Sequence, residues 1–549
     1  MINRNYSLYD VPKIDSLREL IDMQAEHNPQ KNVFRFRKGK EICAITYSEL
    51  KKQTEYLGTE LLARGYGDKK VALLGENSYQ WLLGFFSITG AGIVVVPLNK
   101  ELSARDLAVL IKDSGCAALI YSNTYADVAQ KLKETYLAEY PMDYINMIEY
   151  DAMLKAGKEA IAEGNTSYTN YSLDVDKTVV IVYTSGTTGE SKGVMLSQKN
   201  FARNTYGACS NLELKGDTLL LLPLYHTFGL VAGVLMNMLY GRMIFINGSL
   251  RHLVDDLQEA KPTILFLVPL FVENFYKNIW KGIEEKNMTD ALKGLIQKSN
   301  ELLTSGVDKR QELFASILAY FGGKLEMIIS GGAPLNPKYL QGFRDIGINL
   351  LSGYGITECS PVVAVNRNEY YRDESVGLVI NECQVQIRNC NDWDEGEVWV
   401  KGSIIMQGYY KREEETAAVL QDGWFNTGDL GHLDKDGFLF ITGRKKNLII
   451  LANGENVSPE ELEEIICDIP LVSECVVSGK DDKIHACIYP NMELAETSGL
   501  QTMEEIRRSL EKEIEVCNKK LPLYKQIKEI SLRETEFEKT TTKKIKRGV

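Results

Sequence analysis

The sequence predicts an α/β protein: a large N-terminal domain of parallel, doubly covered sheets plus a small antiparallel β meander, followed by a small α+β C-terminal domain. Short apolar runs alternate with helical patterns over most of the 549 residues, an order typical of parallel sheets covered by helices. From about Glu395 the pattern changes to short strands and turns. After Lys446 about a hundred residues remain, enough for a small second domain.

The predicted strands of the large domain are short apolar runs bounded by turn residues. They are, in order, "KKVALLGEN", "GIVVVPL", "AALIYS", "TVVIVYTS", "DTLLLLPL", "RMIFIN", "PTILFLVP", "LEMIISGG" and "INLLSGYG". From Phe271 to Phe321 the pattern is mostly helical and charged, which predicts a helical insertion packed on the sheet.

The C-terminal part of the chain has its own signals. Asp434, Lys435, Asp436 and Gly437 form a predicted turn of the meander. Helices are expected near 459–467 and 503–519. The boundary falls near Lys446, which gives the predicted domains 1–445 and 446–549.

Composition excludes several classes of protein. The net charge of −12 argues against general nucleic-acid binding, so any phosphate site must be built locally. The ten cysteines show no CxxC or Cys/His spacing, and the five histidines are dispersed, a pattern typical of a reducing cytoplasm. The N-terminus has no apolar segment typical of a signal peptide. We therefore expect a cytoplasmic protein.

Two long apolar stretches, from Trp81 and from Leu219, approach the length of a membrane span. Gly90 and Gly92 interrupt the first, and Pro223 is among the residues that interrupt the second. Buried helix-plus-strand units of a large domain explain both stretches better, so we expect at most peripheral membrane contact.

The stretch "YTSGTTGESKGVMLSQ" (183–198) follows a buried strand and suggests a phosphate-binding loop. Hydroxyls, glycines that let backbone amides approach a ligand, and one lysine are the parts of a polyphosphate cradle. These residues are Thr184, Ser185, Gly186, Thr187, Thr188, Gly189, Lys192 and Gly193. The order Lys-Gly-Val excludes a Walker A loop, and no GxGxxG pattern occurs here. A surface linker of small polar residues is the alternative, and the next helix is expected to begin near Ser197.

Further motifs extend this interpretation. They are "SGGAPLN" from Ser330, "LLSGYGITECSP" from Leu350, "GWFNTGDLGHLDKDGFLFITGRKKNLIILANGENVSPEELE" from Gly423, and the tail "FEKTTTKKIKR". In order and approximate spacing, these motifs and the loop resemble the adenylate-forming enzymes over essentially the whole chain. "FLVPLFVENFYKNIWKGI" and the helical stretch after it are similar to the insert of the long-chain fatty acyl-CoA synthetase branch.

The resemblance implies ATP-dependent activation of a carboxylic acid, a medium- or long-chain fatty acid, to acyl-AMP with release of pyrophosphate. A thioester with coenzyme A would follow, with Mg²⁺ as the metal. The enzyme needs no nucleophile of its own, which agrees with the absence of a Ser/His/Asp or Cys/His arrangement. Two alternatives remain: delivery of the acyl group to an acyl carrier protein, and an inactive nucleotide-binding regulator.

The resemblance also implies roles for individual residues. The loop from Thr184 to Lys192 would hold the β- and γ-phosphates, with Thr184 and Glu358 near Mg²⁺ as hard oxygen ligands. Thr357 would reach the α-phosphate. Tyr354 would stack on adenine, while Gly332, Ala333, Gly353 and Gly355 belong to the base-binding stretches; Asp429 would accept the ribose hydroxyls beside Arg444. His226 would lie beside the acyl pocket, although a core histidine is the alternative.

Three further positions lie in the C-terminal part. Lys544 matches the family's catalytic lysine, and because Lys543 stands where the family commonly has glycine, Lys543 is the alternative. Lys446 falls at the family's hinge, which implies a mobile C-terminal domain that delivers the lysine for one half-reaction only. Gly454, with Glu455 and Asn456, would face the thiol channel.

We predict that Lys544→Ala lowers acyl-adenylate formation on the order of 10²-fold or more, because a preorganised positive charge at the reacting phosphate is lost. Thioester formation from supplied acyl-adenylate should remain nearly unchanged. The two half-reactions are measured separately, with Lys543→Ala as the matched control. Equal losses in both half-reactions contradict the assignment, and a selective loss in the control moves it to Lys543.

Overall fold

The structure is a computed structural model that describes residues 6–185, 191–392, 394–451, 455–480, 483–539 and 545–547. The chain divides into two units. The first comprises Met1–Val385, Val400–Phe425 and Asp436–Phe438, and the second comprises Gln386–Trp399, Asn426–Lys435 and Leu439–Val549. The domain boundary after residue 445 and the mobility of the C-terminal domain stay predictions.

The strands are numbered in chain order. They are β1 (Asn32–Lys38), β2 (Glu41–Thr46), β3 (Lys70–Leu74), β4 (Val94–Pro97), β5 (Ala118–Tyr121), β6 (Asp143–Asn146), β7 (Thr178–Ser185), β8 (Ser191–Ser197), β9 (Thr218–Leu220), β10 (Ile244–Ile246), β11 (Ile264–Leu267), β12 (Met327–Ser330), β13 (Asn349–Gly355), β14 (Val362–Val365), β15 (Gly377–Val379), β16 (Cys383–Arg388), β17 (Gly396–Gly402), β18 (Gly408–Tyr409), β19 (Leu420–Gln421), β20 (Trp424–Leu433), β21 (Phe438–Arg444), β22 (Ile449–Ile450), β23 (Asn456–Val457), β24 (Val472–Lys480), β25 (Lys483–Pro490) and β26 (Ile527–Leu532).

The α-helices are numbered in the same way. They are α1 (Leu17–His27), α2 (Tyr47–Ala63), α3 (Tyr79–Gly90), α4 (Ala104–Ser114), α5 (Ala126–Lys131), α6 (Tyr150–Ala162), α7 (Gln198–Asn211), α8 (Thr227–Leu230), α9 (Met236–Leu239), α10 (Leu253–Ala260), α11 (Pro269–Glu284), α12 (Thr289–Thr304), α13 (Arg310–Leu313), α14 (Ala315–Leu318), α15 (Pro337–Asp345), α16 (Glu413–Val419), α17 (Pro459–Cys467), α18 (Met492–Thr497) and α19 (Met503–Asn518). A π-turn, Val231–Leu235, joins α8 to α9.

The first unit contains two sheets with parallel centres. One runs β15-β14-β13-β12-β11-β9-β10-β1-β2 and the other runs β18-β8-β7-β4-β3-β5-β6. Each apolar run predicted as a strand forms one, which confirms the predicted α/β class. The sheets are not wholly parallel: β1 with β2, β7 with β8, and β13 with β14 are antiparallel pairs. Strands β1 and β2 were not predicted. Phenylalanine alternates with arginine in β1, so it has no continuous apolar run, and the short apolar run of β2 is exposed or half-buried.

The helical insertion predicted for 271–321 is confirmed as α11 to α14. Its residues Phe275 and Phe321 belong to the same buried cluster as Phe245 of β10 and Leu265 of β11. The insertion therefore packs on the first sheet, because its apolar side chains have that surface to cover.

In the second unit, β20 and β21 form the predicted antiparallel meander, with partners from Asp429–Arg444 to Leu433–Leu439. The predicted helices are confirmed as α17 and α19, which share a buried core with β24, β25 and β26. Leu462, Leu510 and Ile484 illustrate this core, each at most 1% exposed.

The two apolar stretches form buried units of the fold. The first contains α3 and β4, and the second contains β9, α8, the π-turn and α9. Across the ranges given above, no helix is long and apolar enough to span the bilayer.

Helices α2 and α6 approach each other closely at Gly157. A Cβ atom at this position would lie 1.9 Å from the carbonyl oxygen of Tyr56 in α2. That distance is far inside van der Waals contact, and a backbone carbonyl within a helix cannot move without shifting the helix. Glycine is therefore required for this packing.

We predict that Gly157→Ala destabilises the first unit by about 1–3 kcal/mol, because α6 must move away from α2. The thermal unfolding midpoint of this large unit should fall by about 1–3 °C, at roughly 1 °C per kcal/mol. Gly282→Ala in α11 is the matched control, since its Cβ would have no neighbour within 4 Å. The control should keep or raise the midpoint, as alanine favours a helix. Equal midpoints for both variants would contradict the packing requirement.

Candidate functional site

The predicted phosphate-binding stretch begins on a β-hairpin. Thr184 lies at the end of β7, directly opposite Lys192 of β8. The prediction of a loop through Lys192 and Gly193 is therefore wrong for these two residues, which lie on a strand. The next residues, Val194 and Leu196, are buried and alternate along β8, and this pattern outweighs the glycine.

Gly186, Thr187, Thr188 and Gly189 lie outside the described residues, as does the side chain of Ser185. Ser197 caps α7, which confirms the expected helix start.

Lys192 is the first member of a chain of contacts. Its ammonium pairs with the carboxylate of Glu415 in α16. It also lies 5.2 Å from the ring centroid of Tyr409, within the range of a cation–π contact. The Tyr409 hydroxyl in turn donates a hydrogen bond of 2.9 Å to Oε1 of Glu358. Burial and the Glu358 charge raise the pKa of Tyr409, so its hydroxyl stays a donor. Two predicted residues, Lys192 and Glu358, are thus brought together through Tyr409, and Thr184 lies opposite Lys192 in the hairpin.

Glu358 belongs to the short helical turn Thr357–Cys359, which follows β13. Its side chain is buried, with the residue 8% exposed, and its carbonyl accepts a hydrogen bond of 2.8 Å from the amide of Met406. Thr357, predicted to reach the α-phosphate, is half-buried beside it. The carboxylate is thus held in a fixed position by both backbone and side-chain contacts.

A metal site of three or more His, Cys, Asp or Glu side chains does not occur among the residues that the structure describes. Mg²⁺ is commonly bound through one or two carboxylates together with substrate phosphates and water. A site formed by Thr184 and Glu358 is compatible with this chemistry, and it stays a prediction.

Two glycine-rich segments meet at one edge of the first sheet. Strands β12 and β13 are parallel, with Ser330 opposite Ser352, so the segments after these residues leave the sheet side by side. Gly332 has a positive φ of +87°, which favours glycine. A Cβ at Gly355 would lie 2.4 Å from the Pro361 carbonyl oxygen. The backbone is therefore bare at this edge, where a flat ring can lie against it.

These segments border a cavity of about 60 Å³. Its remaining walls are largely apolar and come from α7 and the residue after it, α8, the π-turn, α9, β11, β12 and β14. The lining residues are Ala208, Leu212, Phe228, Ala232, Met236, Phe266, Ile329, Ser330, Gly331, Gly332, Gly353, Tyr354, Gly355, Pro361, Val362 and Val365. Four of the predicted nucleotide residues, Gly332, Gly353, Tyr354 and Gly355, thus share a cavity with apolar side chains. Ala333 is half-buried next to Gly332.

His226 lies at the N-terminus of α8, two residues before Phe228. It is half-buried, and its ring centroid lies 4.6 Å from that of Tyr225. The helix that begins there carries the cavity-lining residue Phe228. His226 therefore stands at the start of a cavity wall, and its predicted role stays a prediction.

The predicted ribose-binding pair lies in the second unit. Asp429 and Arg444 are opposite each other on β20 and β21, and Arg444 Nε lies 2.7 Å from Asp429 Oδ1. Asp429 is only 3% exposed, and the guanidinium of Arg444 holds its carboxylate in place.

Lys446 lies two residues after Arg444. Partial burial, followed by the charges of Arg444 and Arg547, lowers the pKa of Lys446.

Lys544, Lys543 and Gly454 lie outside the described residues. Glu455 and Asn456, predicted to face the thiol channel, are exposed. The sequence interpretation missed Tyr409 and Glu415, which contact Lys192 in the structure. Both lie in "MQGYYKREEET", whose charged and aromatic residues form no recognisable motif, so sequence alone gave no signal for them.

The chain has relatives among known proteins. Residues 21–410 match the AMP-binding enzyme family, and residues 446–549 match the AMP-binding enzyme C-terminal domain. A long-chain-fatty-acid–CoA ligase 5 of Rattus norvegicus is 30% identical over 466 residues, which cover 77% of this chain and 67% of that protein. A chloroplastic long-chain-fatty-acid–[acyl-carrier-protein] ligase of Arabidopsis thaliana is 27% identical, over 85% of this chain and 75% of that protein.

The fold also has solved counterparts. The o-succinylbenzoate CoA synthetase of Bacillus subtilis, solved in complex with its acyl-adenylate intermediate, superposes with a TM-score of 0.72. The two chains are 22% identical, and the match covers 96% of each. The likeness shows that the two chains share a fold.

We predict that Glu358→Gln raises the Mg²⁺ concentration needed for half-maximal, acid-dependent pyrophosphate release. The amide keeps the size of the side chain and can still accept the Tyr409 hydrogen bond, but it lowers the charge offered to a hard cation. Glu414→Gln, an exposed carboxylate on α16 next to Glu415, is the control and should leave the Mg²⁺ dependence unchanged. An unchanged Mg²⁺ dependence in Glu358→Gln would remove Glu358 from the metal site.

Proposed function

The chain belongs to the AMP-binding enzyme family, and we propose that it is a fatty acyl-CoA ligase. It is an acid–thiol ligase that activates a carboxylic acid through acyl-AMP, and ATP, Mg²⁺ and coenzyme A are the cofactors of this reaction. The part that we propose is the substrate class, a medium- or long-chain fatty acid, together with coenzyme A as the acceptor.

In the first half-reaction, a carboxylate oxygen of the acid bonds to the α-phosphorus of ATP, and the bond from that phosphorus to pyrophosphate breaks. In the second, the coenzyme A sulfur bonds to the acyl carbon, and AMP leaves with the electron pair of the carbon–oxygen bond. Both steps need positioning and neutralisation of negative charge rather than a protein nucleophile. Mg²⁺ would neutralise charge on the phosphates when it is bound.

The described residues provide groups suited to these tasks. Lys192 offers a cation and Glu358 a buried carboxylate, which would hold phosphate and Mg²⁺ respectively. The bare backbone at Gly332 and Gly353 would accept the adenine ring beside Tyr354. In the second unit, the Asp429 carboxylate would accept hydrogen bonds from ribose hydroxyls.

The observation that carries the fatty-acid proposal is the composition of the cavity. Apolar side chains such as Phe228, Ala232 and Met236 share one cavity with Gly353 and Tyr354. An alkyl chain gains free energy from leaving water, at about 25 cal/mol for each Å² of apolar surface buried. Because this lining adjoins Gly353 and Tyr354, the acyl chain would lie next to the proposed adenine site.

The acyl carrier protein is the second candidate acceptor, and the Arabidopsis thaliana relative is named for that acceptor. We also propose a cytoplasmic location, because all ten cysteines are free thiols in the structure, as expected in a reducing compartment.

We predict that pyrophosphate release depends on added acid and is fastest with a medium- or long-chain fatty acid. The assay compares straight-chain acids from butanoic to octadecanoic with benzoic acid and an amino acid as controls. Thioester formation is then measured with coenzyme A and, separately, with holo acyl carrier protein. Preference for benzoic acid or the amino acid contradicts the fatty-acid proposal. A thioester only with the carrier protein changes the acceptor, and pyrophosphate release without added acid overturns the function.

A further inference from the structure

One wall of the cavity is a helix with a local change of geometry. Helices α8 and α9 are continuous through the π-turn, where the amide of Met236 donates to the carbonyl oxygen of Val231, five residues earlier. A π-turn widens the helix by one residue and leaves a carbonyl without its ordinary partner, and such turns occur frequently at functional sites. This turn carries the cavity-lining residue Ala232, and Met236 follows it directly.

Asn237 donates hydrogen bonds to two carbonyls of this turn. Its Nδ2 donates to the carbonyl oxygen of Ala232 at 2.9 Å and to that of Gly233 at 3.2 Å. The residue is completely buried, and its Oδ1 has no hydrogen-bond partner among the residues that the structure describes. A buried amide oxygen without a partner is costly, so the two donated bonds must account for an asparagine at this position.

The back of the π-turn is closely packed. A Cβ at Gly233 would lie 2.5 Å from Cδ1 of Leu220 in β9, and Val234 is completely buried. The turn is therefore fixed from behind by the strand and from within by Asn237. Its other side bears Ala232 on the cavity, with Ala208 of α7 on the same lining.

We propose that Asn237 is a positioning residue that fixes the π-turn and thereby sets which acid chain lengths the cavity admits. The inference rests on the proposed function, because it takes the cavity as the acyl site. Asn237 would act through Ala232 and Met236 and would not touch the substrate. With only a methyl group at Ala232, the turn adds little bulk to the cavity, whereas a larger side chain or a shifted turn would reduce the space for an alkyl chain.

The experiment measures kcat/KM for acid-dependent pyrophosphate release over straight-chain acids from hexanoic to octadecanoic. Asn237→Leu keeps the approximate size but removes both donors, and Asn237→Thr keeps a hydroxyl that can donate to a carbonyl four residues earlier. In the leucine variant we expect the ratio between the longest and shortest acids to change by roughly tenfold or more. The KM for ATP should stay within about twofold of the wild-type value, since Gly332, Gly353 and Tyr354 lie outside the altered helix. The threonine variant should keep a ratio closer to the wild type.

Ala232→Leu is the second variant, which tests the same wall without altering Asn237. It fills the cavity from the turn and should lower the ratio of long to short acids. Equal losses for all acids, or unchanged ratios in both Asn237→Leu and Ala232→Leu, overturn the inference. The wild-type protein tests the proposed function separately. If it releases no pyrophosphate with any fatty acid, the proposed function is wrong. If the enzyme is active and the ratios are unchanged in both variants, only the role of Asn237 is rejected.

Discussion

The parallel register of β12 and β13 is the constraint on which the candidate site depends. Because Ser330 lies beside Ser352, the two glycine-rich segments leave the sheet at the same edge, where ligands of α/β proteins commonly bind. Two stretches of backbone with little side-chain cover are thereby placed side by side, which neither glycine-rich segment could provide alone. The helix that begins after His226 covers this edge: Cζ of Phe228 would lie 3.1 Å from a Cβ built at Gly331.

Much of this arrangement could be predicted from the sequence, because it depends on signals within short segments of the chain. The buried parallel strands are continuous apolar runs, and the helices α17 and α19 begin with proline and capping signals that sequence preserves. Asp429 and Arg444 lie on the two strands of one hairpin, and the register of that hairpin places them opposite each other. The motifs themselves identified the family.

The remainder could not be predicted because it depends on contacts between distant segments. Lys192 meets Glu415 more than two hundred positions along the chain, and no local pattern at Glu415 distinguishes it from its acidic neighbours. The π-turn lies in a stretch that is apolar on every side, so periodicity cannot separate it from an ordinary helix. Strand β8 was missed because glycine and lysine at its start resemble a loop, although its later residues pair with β7 throughout.

The ion pair of Lys192 and Glu415 has a consequence for anion selectivity. To bind a phosphate, the Lys192 ammonium must first release the Glu415 carboxylate. A singly charged anion therefore gains little binding free energy by replacing that carboxylate. A triphosphate presents several charged oxygens at once and can compete for the ammonium. Glu415 would not be left unneutralised by this exchange, because Arg412 Nε lies 3.5 Å from its Oε1. The resting contact thus favours an anion with several charged oxygens over a singly charged one, and because both side chains are partly exposed this preference is modest.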